Sequence, residues 1–88
     1  STEAIQMYDM PEGAFVIRVE KNSAAGKAGV QKGDIIVSFD GQTVSGKDDL
    51  ESKLAYYASG ETVDVVVSRA DNGEYVQKTI SVTLGSKN

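Results

Sequence analysis

The chemistry open to this chain is narrow, because its 88 residues include neither histidine nor cysteine. Without imidazole there is no general base of the Ser-His-Asp kind, and without a thiol there is no cysteine nucleophile. Without either, the usual zinc ligand sets are excluded. Serines remain, at 23, 38, 45, 52, 59, 68, 81 and 86 among others. A Ser-Lys pair such as Ser52–Lys53 is adjacent in sequence, and neighbours on a helix do not face one another. No catalytic residue is assigned, and the chain is not expected to be an enzyme in itself. Asp48, Asp49 and Glu51 form an acidic group that could be drawn as a metal site or an acid/base pair. At the start of a helix they are explained by their favourable interaction with its dipole, about 0.3–1 kcal/mol each. Asp71-Asn72-Gly73-Glu74 lacks the ligand spacing of a calcium loop. Glycines at 26, 29 and 33 fit neither GxGxxG nor GxxxxGK[ST], and Lys47 after Gly46 has no Ser or Thr behind it. Helix caps and turns account for these glycines, so neither a metal nor a cofactor is expected.

What remains is apolar. Leu50, Leu54 and Tyr57 recur at i, i+4 and i+7 behind Ser45, which with Asp48 resembles a capping box, and Gly60 closes the segment. The spacing predicts a helix over 47–58 with a narrow apolar stripe. Laid beside an incompletely covered strand, such a helix forms a groove. An extended peptide can add to the strand's free edge there and drop side chains into the groove. The plainer alternative is that the stripe is core.

The elements that would hold this helix follow from turn chemistry and alternation. Residues 1–12 begin with Ser, Thr and Glu and place Ile5 and Tyr8 three apart before Pro11, which predicts a short helix over about 2–10. Gly13 opens a β-rich segment in which Val16 and Val19 fall on opposite faces unless a bulge near Ile17 reconciles them. Ser23 can cap one or two helical turns that end at Gly29, with Val30 folding back. Gly33–Asp34 then leads into a strand with Ile35, Val37 and Phe39 on one face and Ile36 on the other, a pattern of a central strand. Asp40-Gly41 and Asn72-Gly73 are tight turns. Val63, Val65 and Val67 alternate with Asp64 and Ser68, and Val76, Ile80, Val82 and Leu84 share a face opposite Gln77, Thr79, Ser81 and Thr83. The tail 85–88 is polar and expected to fray. The connections are too short for parallel crossovers, so the expected class is α+β: a small, partly open antiparallel barrel or sandwich of about five strands with two or three short helices.

Composition sets the outer limits. A chain of 88 residues with 40% apolar and 25% charged residues builds one domain. Nine basic residues against thirteen acidic ones give a net charge of -4, which repels phosphate backbones and makes nucleic acid an unexpected partner. No apolar run approaches the roughly 18 residues of a spanning helix, and no charged start precedes an apolar core, so neither membrane contact nor a signal peptide is expected.

The stretch "SAAGKAGVQKGDIIVSFDGQTVSGKDDLESKL" resembles a PDZ domain of the bacterial HtrA/Deg type, the regulatory module of trypsin-like serine proteases. The likeness runs over nearly the whole chain. "MPEGAFVIRV" is similar to the strand before the small helix, "AGVQKGDIIVSFDGQTV" to the signature turn-strand-turn, and "DDLESKLAYYASGETVDVVVSR" to the groove helix and the strand after it. Ala24 stands where these domains often carry Pro.

The resemblance implies a PDZ-like fold and a peptide-binding module that recognises C-terminal tails or unfolded polypeptide segments. It also implies contact with the parent's own protease domain and an extracytoplasmic, bacterial location. The alternative it leaves open is an assembly or allosteric packing module with no free peptide ligand. Leu50 and Leu54 resemble the positions near the pocket for the ligand's last side chain, Lys47 and Glu51 the groove rim, and Arg18 the strand flanking the ligand. In the family a carboxylate-binding apolar-Gly-apolar loop lies upstream of the first helix. The nearest segment here, Glu12-Gly13-Ala14-Phe15, matches the following strand better, and Glu12 would repel a carboxylate. The chain is therefore expected to be a single domain over 1–88 that lacks the upstream carboxylate-loop strand. An intact domain of this design is expected to bind tails in the micromolar range, about -7 to -8 kcal/mol.

Overall fold

A computed structural model of the chain describes residues 11–85; the helix expected over 2–10 and most of the polar tail lie outside these residues. The elements are β1 (Ala14–Phe15), α1 (Ala24–Ala28), β2 (Ile35–Phe39), β3 (Gln42–Thr43), α2 (Lys47–Leu54), β4 (Thr62–Asp71) and β5 (Glu74–Thr83). The five strands form one antiparallel sheet in the order β1-β2-β4-β5, with β3 pairing to β2. This α+β, PDZ-like sheet stays open and does not close into a barrel.

Local chemistry places the turns. Ser23 Oγ accepts from the Gly26 N–H at 3.1 Å and donates to the Glu20 carbonyl at 2.7 Å, so α1 starts there. Gly29 ends it in the left-handed region (φ 102°), and the Val30 N–H folds back to the Ala25 carbonyl at 3.0 Å. Asp40-Gly41 and Asn72-Gly73 both take positive φ at two successive residues, the requirement of the two-residue hairpin turn.

The core is built on one face of the sheet. Val63, Val65 and Val67 of β4 are 6%, 4% and 0% exposed, and Phe39, Val44, Val82 and Ala14 complete the cluster. On β5 the shared face holds for Ile80 and Val82, whereas Val76 is 40% exposed because the hairpin reaches past the core.

Several expectations are corrected. The irregularity lies in β2, not near Ile17. The register slips between Ile36 and Ser38, which turns both Ile36 and Phe39 toward the core face, opposite Val67 and Val65. Ile35 is buried against the other face opposite Ser68, and both are 2% exposed, so Ser68 is interior although its alternation marked it as outward. β1 is only two residues long. Beyond it Val16 still exchanges bonds with Asp34 and Gly33 at 2.8 Å each, while Ile17 is 74% exposed. α2 ends at Leu54 and not near 58, because Tyr56 and Tyr57 tighten into i→i+3 bonds with Lys53 and Leu54. Ser45 does not cap it. Gly46 is the N-cap, and the Ser45 N–H instead donates to Asp49 Oδ2 at 2.9 Å. Gly26 is not a turn residue but sits inside α1, where a Cβ would meet the Lys21 carbonyl oxygen at 2.9 Å and overlap that of Glu20.

Candidate functional site

α2 carries its stripe as a lid edge. None of its residues is buried, yet Leu50 and Leu54 are half-buried and pack on the core cluster, as does Tyr57 beyond its end. The 3.6-residue repeat brings Leu50 and Leu54 to one side, while Asp48 and Asp49 load the first turn and Lys53 the last. Asp49 takes the Lys53 ammonium at 2.8 Å and the Ser45 N–H, and these two bonds, Lys53 first, hold its carboxyl below its ordinary range.

Between α1, α2 and the sheet lies a cleft of about 290 Å³. Leu50 and Leu54 form one wall, Ala24 and Ala25 of α1 the opposite one, and Ile36 and Phe39 part of the floor. Its surface is almost wholly hydrocarbon, so water there has few partners, and each apolar side chain that enters gains about 1.5–3 kcal/mol on full burial. The floor is the domain's own core: the lining also includes Val65 and Val82. These floor residues were legible only as core, and the register slip in β2 is what turns Ile36 into the cleft.

Of the expected site residues, the structure brings Leu50 and Leu54 together. Lys47 and Glu51 are exposed on the same helix and outside the cleft lining. Arg18 is exposed past β1 and paired with Glu20 at 2.9 Å. Among the described residues β1 is the outermost strand of the path on that side, and it packs against α2. Antiparallel bonding alternates along the edge, and Val16 bonds inward to Asp34, so the N–H and C=O groups of Phe15 and Ile17 point away from β2. Gly13 leads directly into β1, so the Glu12–Phe15 segment is strand entry and not an anion loop.

On the outer flank of α2 a second recess, about 450 Å³, is bounded by Gln42, Asp49, Ser52, Lys53, Tyr56 and Tyr57. Its charges already satisfy one another through the Asp49–Lys53 pair. The Tyr57 hydroxyl donates to Asp40 Oδ2, and this bond, followed by partial burial and the charges of Asp40 and Glu61, raises the Tyr57 pKa. Among the described residues no three acidic side chains converge as metal ligands, and no helix is long and apolar enough to cross a membrane.

Comparison with known proteins agrees with this geometry. A family model described as "PDZ domain" matches residues 4–84. The chain is 34% identical over 76 residues to a protein named "Probable periplasmic serine endoprotease DegP-like" from Brucella suis, covering 86% of this chain and 15% of that protein. It is 38% identical over 79 residues to the protein of the same name from Marinomonas, covering 90% and 16%. Among solved structures, "HtrA-type protease AlgW with decapeptide" superposes with a TM-score of 0.68 at 27% identity, covering 100% of this chain and 27% of that one. The chain thus spans about a sixth of the length of these curated relatives. An open five-stranded antiparallel sheet, an apolar cleft beside α2 and a family match over residues 4–84 place the chain in the PDZ domain family, with HtrA/Deg-type serine proteases as its relatives.

Proposed function

We propose that the chain is a peptide-binding regulatory module of an HtrA/Deg-like serine protease located outside the cytoplasm. It takes C-terminal or unfolded polypeptide segments. The ligand lies along the outer edge of β1 and inserts apolar side chains between α2 and the sheet. The observation that carries this reading is the hydrocarbon cleft walled by Leu50 and Leu54 of α2, a helix that also packs against β1, an edge strand among the described residues. A backbone hydrogen bond contributes about 0.5–1.5 kcal/mol net whatever the sequence, so the inserted side chain decides preference. Lys47, Glu51 and Arg18, all exposed, would meet polar groups along the ligand. The peptide in the AlgW structure and the periplasmic names of the relatives support the ligand class and the location.

Titration with two decapeptides differing only in a final Val or Ser tests the reading. The Val peptide is expected to bind about tenfold more tightly, and Leu54→Ala to remove most of that advantage. Equal affinity for the two peptides would overturn it. Amidating the Val peptide tests whether a chain end is recognised: an unchanged affinity would eliminate carboxylate capture while leaving side-chain insertion intact.

One observation favours a second reading. The cleft opens directly on core residues Val65 and Val82, as expected if another part of the assembled protease fills it. Sedimentation of the protease-linked protein separates the two readings, since a cleft filled from within shows no peptide-dependent shift.

A further inference from the structure

Along its length α2 is held by the half-buried Leu50 and Leu54. None of its eight residues is buried, and at its start the tie is the Ser45 N–H to Asp49 within the same segment. Past its end the chain makes one side-chain connection to the sheet, at Tyr57. The Tyr57 N–H returns to the Leu54 carbonyl at 3.1 Å, so the residue moves with the helix end. Its ring stands edge-on to Phe39, centroids 5.0 Å apart and planes at 89°. Its hydroxyl donates to Asp40 Oδ2 at 2.5 Å. Asp40 is itself fixed to the sheet, because its N–H donates to the Asp64 carbonyl at 2.8 Å and its backbone is held at φ 51° in the β2–β3 turn. Phe39 lies in the cleft floor and Leu54 in the cleft wall. Beyond the packing of Leu50 and Leu54, Tyr57 therefore joins wall to floor through both its ring and its hydroxyl.

We propose that the Tyr57–Asp40 hydrogen bond is a latch that fixes the end of α2 to the sheet, sets the width of the apolar cleft and so determines which size of apolar side chain the cleft accepts. The selectivity part rests on the peptide-binding reading above; the latch itself does not. Leverage gives it weight: an eight-residue helix is about 12 Å long, so a rotation of about 10° about its first turn moves Leu54 by about 2 Å, the van der Waals radius of a methyl group. A gap of half that already forfeits a quarter or more of the dispersion contact with a bound side chain. Tyr57 acts through Leu54 and Phe39 and is a positioning residue.

The test uses Tyr57→Phe, which keeps the ring against Phe39 and deletes only the hydroxyl. Asp40→Gly serves as its partner, deleting the acceptor while tolerating the left-handed backbone. Two decapeptides that differ only in Val or Phe at the inserted position are titrated against each protein. The wild-type preference between them is expected to shrink about threefold or more in either variant, with no further change in the double variant, since the two share one bond. Preference unchanged in both single variants would overturn the proposal. Amide hydrogen exchange provides a readout that needs no peptide. Exchange across Lys47–Leu54 is expected to quicken about threefold or more in Tyr57→Phe, with Val63–Val67 unchanged. If the wild type binds neither peptide, the peptide-binding reading fails, and the latch is still decided by exchange: no quickening in α2 overturns it.

Discussion

Replacing Arg69 by Ala is expected to lower the stability of the domain by about 3 kcal/mol, the lower end of the range for breaking a buried ion pair because the guanidinium is partly exposed. Asp34 is 1% exposed, and its two oxygens take Arg69 Nε at 2.9 Å and Nη2 at 2.8 Å, while the Gln31 N–H donates to Oδ2 at 2.9 Å. Arg69 Nη2 also reaches the Gly29 carbonyl at 3.0 Å. One side chain on β4 thereby ties the end of α1 to the entry of β2. Without it a nearly inaccessible carboxylate keeps a single donor, and the carbonyl of Gly29, which caps α1, loses a partner. For a domain whose whole stability is about 4–13 kcal/mol this is a large fraction. The melting temperature should fall by about 12 °C or more.

The pH dependence gives the pair its signature. Burial pushes the Asp34 carboxyl up, but the Arg69 hydrogen bonds, the Gln31 N–H and the Arg69 charge together outweigh it and hold the group below the ordinary 3.8. A carboxyl depressed in the folded state contributes stability that is complete above its unfolded value and is lost as pH falls through the folded value. The gap between wild type and Arg69→Ala should therefore be widest toward neutral pH, where Asp34 is ionised, and narrow as the pH drops through and below the ordinary carboxylate range. Thermal melts across that range check it. A gap that persists undiminished in strong acid would show that Arg69 stabilises by packing and not through Asp34.

Gly13→Ala should cost about 1–3 kcal/mol, the range for inserting a methyl where there is no room. The reason is close approach: a Cβ there would overlap the Ile36 carbonyl oxygen and come within 2.9 Å of Ile35 Cγ2 and 3.0 Å of the Ile36 carbonyl carbon. These atoms belong to the middle of the sheet and cannot yield, so β1 must lift away from β2. Gly26→Ala clashes as well, but with carbonyls of the 20–21 turn. Its cost is offset by the roughly 0.8–1 kcal/mol that Ala gains over Gly inside a helix. Denaturant titration of the two variants should rank Gly13→Ala as the more damaging, and because it displaces the edge that meets a ligand, it should also weaken peptide binding. Equal, small losses in both would mean that β1 is not pinned at this point.

The features legible in the sequence are those whose cause is local. Gly29, Gly41 and Asn72-Gly73 announce their turns because a left-handed backbone needs those residues whatever surrounds them. The alternation of β4 and the Leu50–Leu54 repeat reveal buried faces because periodicity is a property of the element itself. What stayed hidden depends on partners distant along the chain. Asp34 and Arg69 are 35 residues apart, and the lone arginine at the end of a valine-rich strand was the only available signal. Gly13 and Gly26 are required by what approaches them, and the slip at Val37 follows from fitting β2 between neighbours. The candidate site was half visible for the same reason. Its helix wall lies in one segment, whereas its floor is assembled from β2, β4 and β5.

Mapping amide shifts of the labelled chain during titration with a decapeptide ending in an apolar residue tests the proposed recognition most directly. Peptide lying along β1 under α2 predicts that the largest displacements fall on Ala14–Ile17 and on Leu50 and Leu54, and that they saturate together. Saturable binding that leaves those residues unmoved, with displacements gathered instead around Gln42, Ser52 and Tyr56, would contradict it.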